Sequence, residues 1–259
     1  MGVIAEMKIN PAEEFEHLSN APIVEAVIEI RARSTIQLEE SEVRSQVEHG
    51  LADYAFLDSR REFRHELRIT PTEAPRQELQ DLRWKGLRFQ STDKKHIAQF
   101  NRDGFVFSWL SPYDTWKRLF DESLRLWRLY ESIAHPKEIQ RVGLRFINRI
   151  GLPDLRLEEY ICPAPSPPGG LGLPHLAFLY QDKLAVPECP YAVNIIRTTQ
   201  PPSEREAHDL YFILDIDVFT IEEFILDETL LQKRLPEMRW LKNKVFFGSI
   251  TERTLKGLR

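Results

Sequence analysis

The stretch Glu138 to Pro153, EIQRVGLRFINRIGLP, decides how this chain is read. Val142, Leu144, Phe146 and Ile150 recur with the period of two that sends alternate side chains to one side of a sheet, while Arg141, Arg145 and Arg149 fall on the other. One face asks for a core and the other is a row of guanidinium groups. Asn148 shares the apolar face, where a buried amide must find partners, most simply backbone groups at a helix end.

Working outward, the same two-faced pattern appears at Ile23 to Arg31, where Val24, Ala26, Ile28 and Ile30 alternate with Glu25, Val27, Glu29 and Arg31. It predicts further strands over Arg61–Thr70, Leu82–Gln90, Lys94–Phe100, Phe105–Leu110, Leu176–Gln181, Tyr191–Thr199 and Asp209–Thr220. Asp103-Gly104 marks a hairpin turn between two of them. Helical spacing covers Leu38–Ala55 and, most clearly, Tyr113–Ala134, with Trp116, Leu119, Phe120, Trp127, Tyr130 and Ile133 on one stripe. A last long helix follows Leu226, with Pro236 expected to restart or kink it, and Ser249 to Glu252 reads as a capping box opening a short final helix. Gly86 marks a bulge that returns Trp84 and Phe89 to one side of their strand.

Two halves share this order. After a polar arm, residues 1–20, expected to be loosely attached, residues 21–137 read strand, helix, strands, helix, and residues 138–259 read strand, short helix, strands, long helix. The expected fold is therefore α+β, with antiparallel sheet wrapped on two long helices and an internal duplication of one strand-helix-strands-helix unit, the halves packed as one domain.

Composition bounds the function. A chain of 259 residues with 42% hydrophobic and 29% charged residues can bury a core without disulfides. No apolar run is long enough to cross a bilayer and the N-terminus has no signal core, so the expected location is the cytoplasm, without membrane contact. Cys162 and Cys189 lack any paired spacing and read as reduced thiols. A net charge of -5 weighs against nucleic acid, although Arg83, Trp84, Lys85, Arg88 and Phe89 mix cations and rings as single-strand platforms do.

Three stretches together, Asn20-Ala-Pro-Ile-Val-Glu-Ala26, Arg141-Val-Gly-Leu-Arg-Phe-Ile-Asn-Arg-Ile150 and Phe246-Phe-Gly-Ser-Ile-Thr251, resemble a sporadically distributed bacterial family of about this chain's length. That family is defined by sequence and carries no assigned function. The resemblance implies a bacterial cytosolic protein and brings no catalytic residues.

The candidate site is the row Arg141, Arg145 and Arg149, which either receives a partner or is cancelled by Asp209, Asp215 and Asp217 of a neighbouring strand and by Glu25 and Glu29. Asp215 and Asp217, two apart on one strand face, could instead hold a divalent metal for phosphoryl transfer, but no Gly-Ser turn precedes them. No histidine pair, nucleophile elbow or phosphate loop is present. The sequence therefore points to a non-catalytic binding component with no cofactor and with a protein as the first-ranked partner. Its alternatives are a small-ligand binder whose Pro-Gly segment, Cys162 to Pro174, closes a pocket between sheet and helix, and then the metal-dependent enzyme.

Overall fold

The computed structural model describes residues 8–70, 73–166, 173, 175–201 and 210–259. The order of elements is β1 (Ile23–Ala32), α1 (Glu40–Gly50), β2 (Tyr54–Thr70), β3 (Glu73–Ser91), β4 (His96–Asn101), β5 (Gly104–Leu110), α2 (Trp116–Ala134), β6 (Glu138–Leu152), a 3-10 turn (Leu157–Glu159), β7 (Leu179–Ala185), β8 (Tyr191–Gln200), β9 (Leu210–Thr220), β10 (Phe224–Ile225), α3 (Glu228–Gly248) and α4 (Glu252–Leu258). The chain is α+β, and its strands form one antiparallel sheet in the order β2-β3-β4-β5-β1-β6-β9-β8-β7, with β10 on β6. The opening stretch is β6, and it sits near the middle, between β1 and β9.

Register converts the sequence alternation into two faces. One row runs Val193, Val218, Leu144, Ile28, Phe107, Ala98 and Phe89 across β8, β9, β6, β1, β5, β4 and β3, and every member is buried. Such a row is continuous apolar surface, and α2 covers it on β5 while α3 covers it on β9 and β6. Leu119, Leu126, Trp127 and Tyr130 of α2, with Leu231, Leu235, Met238 and Leu241 of α3, complete the core.

Local chemistry sets the ends of these elements. Thr115 caps α2 by accepting from the Arg118 N–H at 3.4 Å, and His135 stops it in the left-handed region with φ 47°. Asp227 caps α3, accepting from the Thr229 N–H at 2.8 Å. Pro236 does not restart the helix: α3 runs as one element from Glu228 to Gly248, with Leu235 and Met238 buried on either side of the proline. Apolar burial along both turns outweighs the lost hydrogen bond. The capping box also shifts. Thr251 rather than Ser249 is the N-cap of α4, accepting from the Thr254 N–H, because Ile250 is held in a bridge to Ile161 and Ser249 turns back to the Val245 carbonyl.

At the β4–β5 hairpin Asn101 pairs with Gly104, so the turn falls on Arg102 and Asp103 and Gly104 opens β5. Gly104 is required there by proximity, since with φ 145° a Cβ would lie 2.3 Å from the Ile30 carbonyl oxygen of β1. The expected bulge in β3 is present: the register slips between Arg60–Gly86 and Arg61–Trp84, and Trp84, Leu87 and Phe89 are all buried. The N-terminal arm differs from expectation. Over residues 8–20 it is tied to α3 and α4: Phe15 stacks on Phe247 at 5.5 Å, Glu13 accepts from the Trp240 indole at 2.6 Å, Leu18 is buried and the Asn20 N–H reaches the Leu258 carbonyl. Residues 167–172 and 174 of the Pro-Gly segment, Asp209, and the side chain of Arg83 lie outside the described residues. Among the described residues no helix is long and apolar enough to cross a membrane.

Candidate functional site

The face of the sheet opposite α2 and α3 carries the arginine row. β1, β6 and β9 run side by side through it, and the register pairs Glu29 with Gly143 and Gly143 with Phe219. Position 143 matters because a strand residue normally carries a side chain there. A Cβ at Gly143 would meet Arg141 Nη1 at 2.5 Å, so its absence lets the Arg141 guanidinium fold along β6 and occupy the gap. From that seat Arg141 donates to Glu29 of β1 on one side and, at 2.7 Å, to Asp217 of β9 on the other, with its guanidinium 4.7 Å from the centre of the Phe219 ring. Glu29 also accepts from Arg31 Nε at 2.9 Å.

Arg145 lies opposite Asp217 in register but bonds diagonally, its Nε donating to Asp215 Oδ1 at 2.8 Å and its Nη2 to Oδ2. This fork against a carboxylate is the strong form of an arginine ion pair, and the Asp215 hydrogen bonds hold the guanidinium above its ordinary pKa. Arg149 donates from Nε to Gln200 at 3.3 Å and lies 3.4 Å over the Tyr211 ring. Of the sequence-derived residues, the structure therefore brings Arg141 and Arg145 together with Asp215 and Asp217, and sets Arg149 apart on an aromatic seat. Burial raises the Asp217 carboxyl above its ordinary pKa, against the opposing pull of Arg141 and then Arg145.

Between these charges the same face exposes part of an apolar set: Val27, Ile147, Ile196 and Ile213 are each half-buried. A single cross-strand row reads Lys183, Asn194, Asp217, Arg145, Val27 and Ser108 from β7 to β5. It is neither a basic track nor a hydrophobic patch. The arrangement can exchange hydrogen bonds and ion pairs with a surface that carries both signs of charge.

Two other features were not legible in the sequence. A hollow of about 530 Å³ opens between α2 and the ends of β2, β4 and β5, lined by Tyr54, His96, Trp109, Arg118, Glu122 and Arg125 among others. In it Glu122 accepts from the Tyr54 hydroxyl at 2.8 Å and from Arg125 at 2.8 Å; burial alone would raise the Glu122 carboxyl, and these bonds carry it below its ordinary value. His96 packs edge-on against Trp109, with its Nε2 buried and unpartnered, and burial lowers its pKa. The second feature is Lys242 of α3, buried with no carboxylate partner among the described residues and with its amine 4.2 Å from the centre of the Phe146 ring.

The basic and aromatic hairpin does not form a stacking platform, because Trp84, Phe89 and Phe100 are core residues and Arg88 is held by Asp58. Asn148 finds its backbone partner on the neighbouring strand rather than at a helix end, its amide donating to the Leu214 carbonyl of β9 at 2.9 Å, because the register places the two residues opposite each other. Among the described residues no three His, Cys, Asp or Glu side chains converge as metal ligands. No family model, curated protein or solved structure matches this chain, so the assignment of a role rests on the geometry of this face.

Proposed function

We propose that this chain is a non-catalytic cytoplasmic binding protein whose sheet face opposite α2 and α3 receives another protein. One observation carries the reading: Arg141 and Arg145 are already matched by Glu29, Asp215 and Asp217 across three adjacent strands, with half-buried aliphatic residues between them. A phosphate polymer would have to release those carboxylates first. A protein surface bearing both charge signs can trade pairs one for one while covering Val27, Ile147 and Ile213. The enzyme reading loses support from the same geometry, since Asp215 and Asp217 are engaged by guanidinium groups that a metal would have to displace.

The test is a titration of the full chain against a partner purified from its native extract. Ile147→Glu and Ile213→Lys are expected to weaken binding at least ~10-fold, while Arg44→Ala, on α1, leaves it unchanged. A partner that binds both face variants as tightly as the wild type would remove the proposal.

A second reading, a small-ligand binder, is favoured by the hollow at His96, whose buried Nε2 lacks a partner. Loss of a bound metabolite on Glu122→Gln, with none lost on the sheet-face variants, would favour this reading over the first.

We also infer that residues 21–137 and 138–259 are duplicated units whose sheet is wrapped on α2 and α3. The support is the mirrored strand order. Outward from the seam it reads β1-β5-β4-β3-β2 on one side and β6-β9-β8-β7 on the other, and in each unit the long helix follows the strand that neighbours the first one, the second unit adding β10 and the short α4.

A further inference from the structure

The two ends of the sheet are built differently. β2 closes one end, and Arg60, Arg61, Glu62 and Arg64 crowd it with charge, the usual protection of an edge strand. β7 closes the other, and its charges are confined to Asp182 and Lys183 at its centre, with apolar residues at either end. Leu179 is 70% exposed, Tyr180 40% and Leu184 51%, and Leu176 just before the strand is 88% exposed. Among the described residues nothing pairs with the outer edge of β7, and none of its outward backbone groups receives a hydrogen bond. The mirrored strand order sharpens the point. In the first half β3 is flanked by β2, whereas the corresponding lane beyond β7 holds no strand among the described residues.

We propose that this lane is filled by β7 of a second copy of the same chain, antiparallel, about a two-fold axis normal to the sheet at Asp182. Such an axis keeps each side chain on its own face, so it pairs only residues of the same parity. With Asp182 on the axis, Leu179 meets Ala185, Tyr180 meets Leu184 and Gln181 meets Lys183. Apolar positions fall on apolar and hydrogen-bonding positions on hydrogen-bonding, on both faces. Shifting the axis to Gln181 would set Leu179 against Lys183 and Tyr180 against Asp182, and shifting it to Lys183 would set Leu184 against Asp182. Self-complementarity in one register is what selects a second copy over an unrelated strand. The two Asp182 carboxylates that meet on the axis are each held by Arg197 of their own chain, at 2.8 Å, so the centre of the pairing is not a bare like-charge contact.

The consequence is geometric. Because the axis is normal to the sheet, the arginine-bearing faces of both copies lie on the same side and join into one surface. The pairing stands independently of what binds that surface.

Sedimentation of the full chain at about 10 and about 100 µM tests it, since a two-body association must grow with concentration. A dimer is expected. Tyr180→Lys and Leu184→Glu should each raise its dissociation constant at least ~10-fold, and an equimolar mixture of the two variants should recover dimer, because the new lysine and glutamate then face each other across the axis. Both side chains are solvent-exposed, and an unchanged near-ultraviolet circular dichroism spectrum confirms that each variant folds. A wild-type monomer at the higher concentration, a dimer indifferent to both variants, or a mixture that recovers nothing would each overturn the proposal.

Discussion

Gly143 shows how one missing side chain arranges a charged face. Its vacancy is the seat of the Arg141 guanidinium, and through it Glu29, Arg141 and Asp217 are joined across three strands. Gly143→Ala is expected to push Arg141 out of this seat and cost about 1–2 kcal/mol in urea unfolding, the order of a disturbed charge-assisted bond. Arg141→Ala should cost more, about 3 kcal/mol, since it leaves Glu29 and Asp217, whose side chains are little exposed, without their counterion. Equal stability of wild type and both variants would show that the cluster is only decoration. Lys242 carries the clearest pH signature. Burial first, and the Arg239 guanidinium second, push its amine down to about 7. The unfolded chain holds that proton up to its ordinary value near 10.5, so it binds more protons than the folded chain between the two. Stability should therefore be lowest below pH 7 and rise as the pH is raised from about 7 to about 10.5. The Phe146 face under the amine returns about 1–2 kcal/mol of the burial cost. Lys242→Met is expected to gain about 2 kcal/mol at pH 6 and almost nothing at pH 10, measured by denaturant unfolding at both values. Neither effect is readable from sequence: a glycine between two arginines signals a close approach, but not what approaches, and Lys242 has the spacing of any helix-surface lysine.

At the scale of elements, alternation and caps were legible and the exact ends were not. β6, β8 and β9 fall nearly where their period of two places them, because each buries an apolar set on one face, over Tyr191, Val193 and Ile195 in β8, and a one-residue slip would expose it. α4 starts two residues later than its Ser-x-x-Glu pattern suggests, since the bridge between Ile250 and Ile161 keeps the chain extended through Ile250. The cap is accordingly expected at Thr251, whose hydroxyl also donates to the Glu159 carbonyl. Thr251→Ala should cost about 1–2 kcal/mol and Ser249→Ala about 0.5 kcal/mol in thermal unfolding. The reverse ranking would restore Ser249 as the cap. The N-terminal arm misled for a similar reason. Its composition is polar, yet Phe15 and Glu13 find specific partners on α3, Asn20 reaches α4 and Leu18 is buried, which no local pattern encodes.

For the molecule as a whole, the seam between β1 and β6 is the middle of the sheet, flanked on both sides and buried under the helix layer. Amide exchange should be slowest in β1, β6 and β9 and fastest in β7, as expected when opening begins at the least covered edge. Comparable protection in β7 at low concentration would mean that its outer edge is already covered within one chain. Increasing protection of β7 with concentration would agree with pairing between copies. The amino-acid sequence by itself determined the antiparallel α+β class, the two unlike faces of β6 and the helices that cover one of them, because burial period and capping chemistry act over a few residues. Only the tertiary structure decided which carboxylates meet the arginines, which face α2 and α3 cover and which strand is left at the end. Those depend on contacts between strands far apart in the chain, such as Glu29 with Arg141 and Arg145 with Asp215, and their partners are fixed by register and strand order rather than by any local spacing.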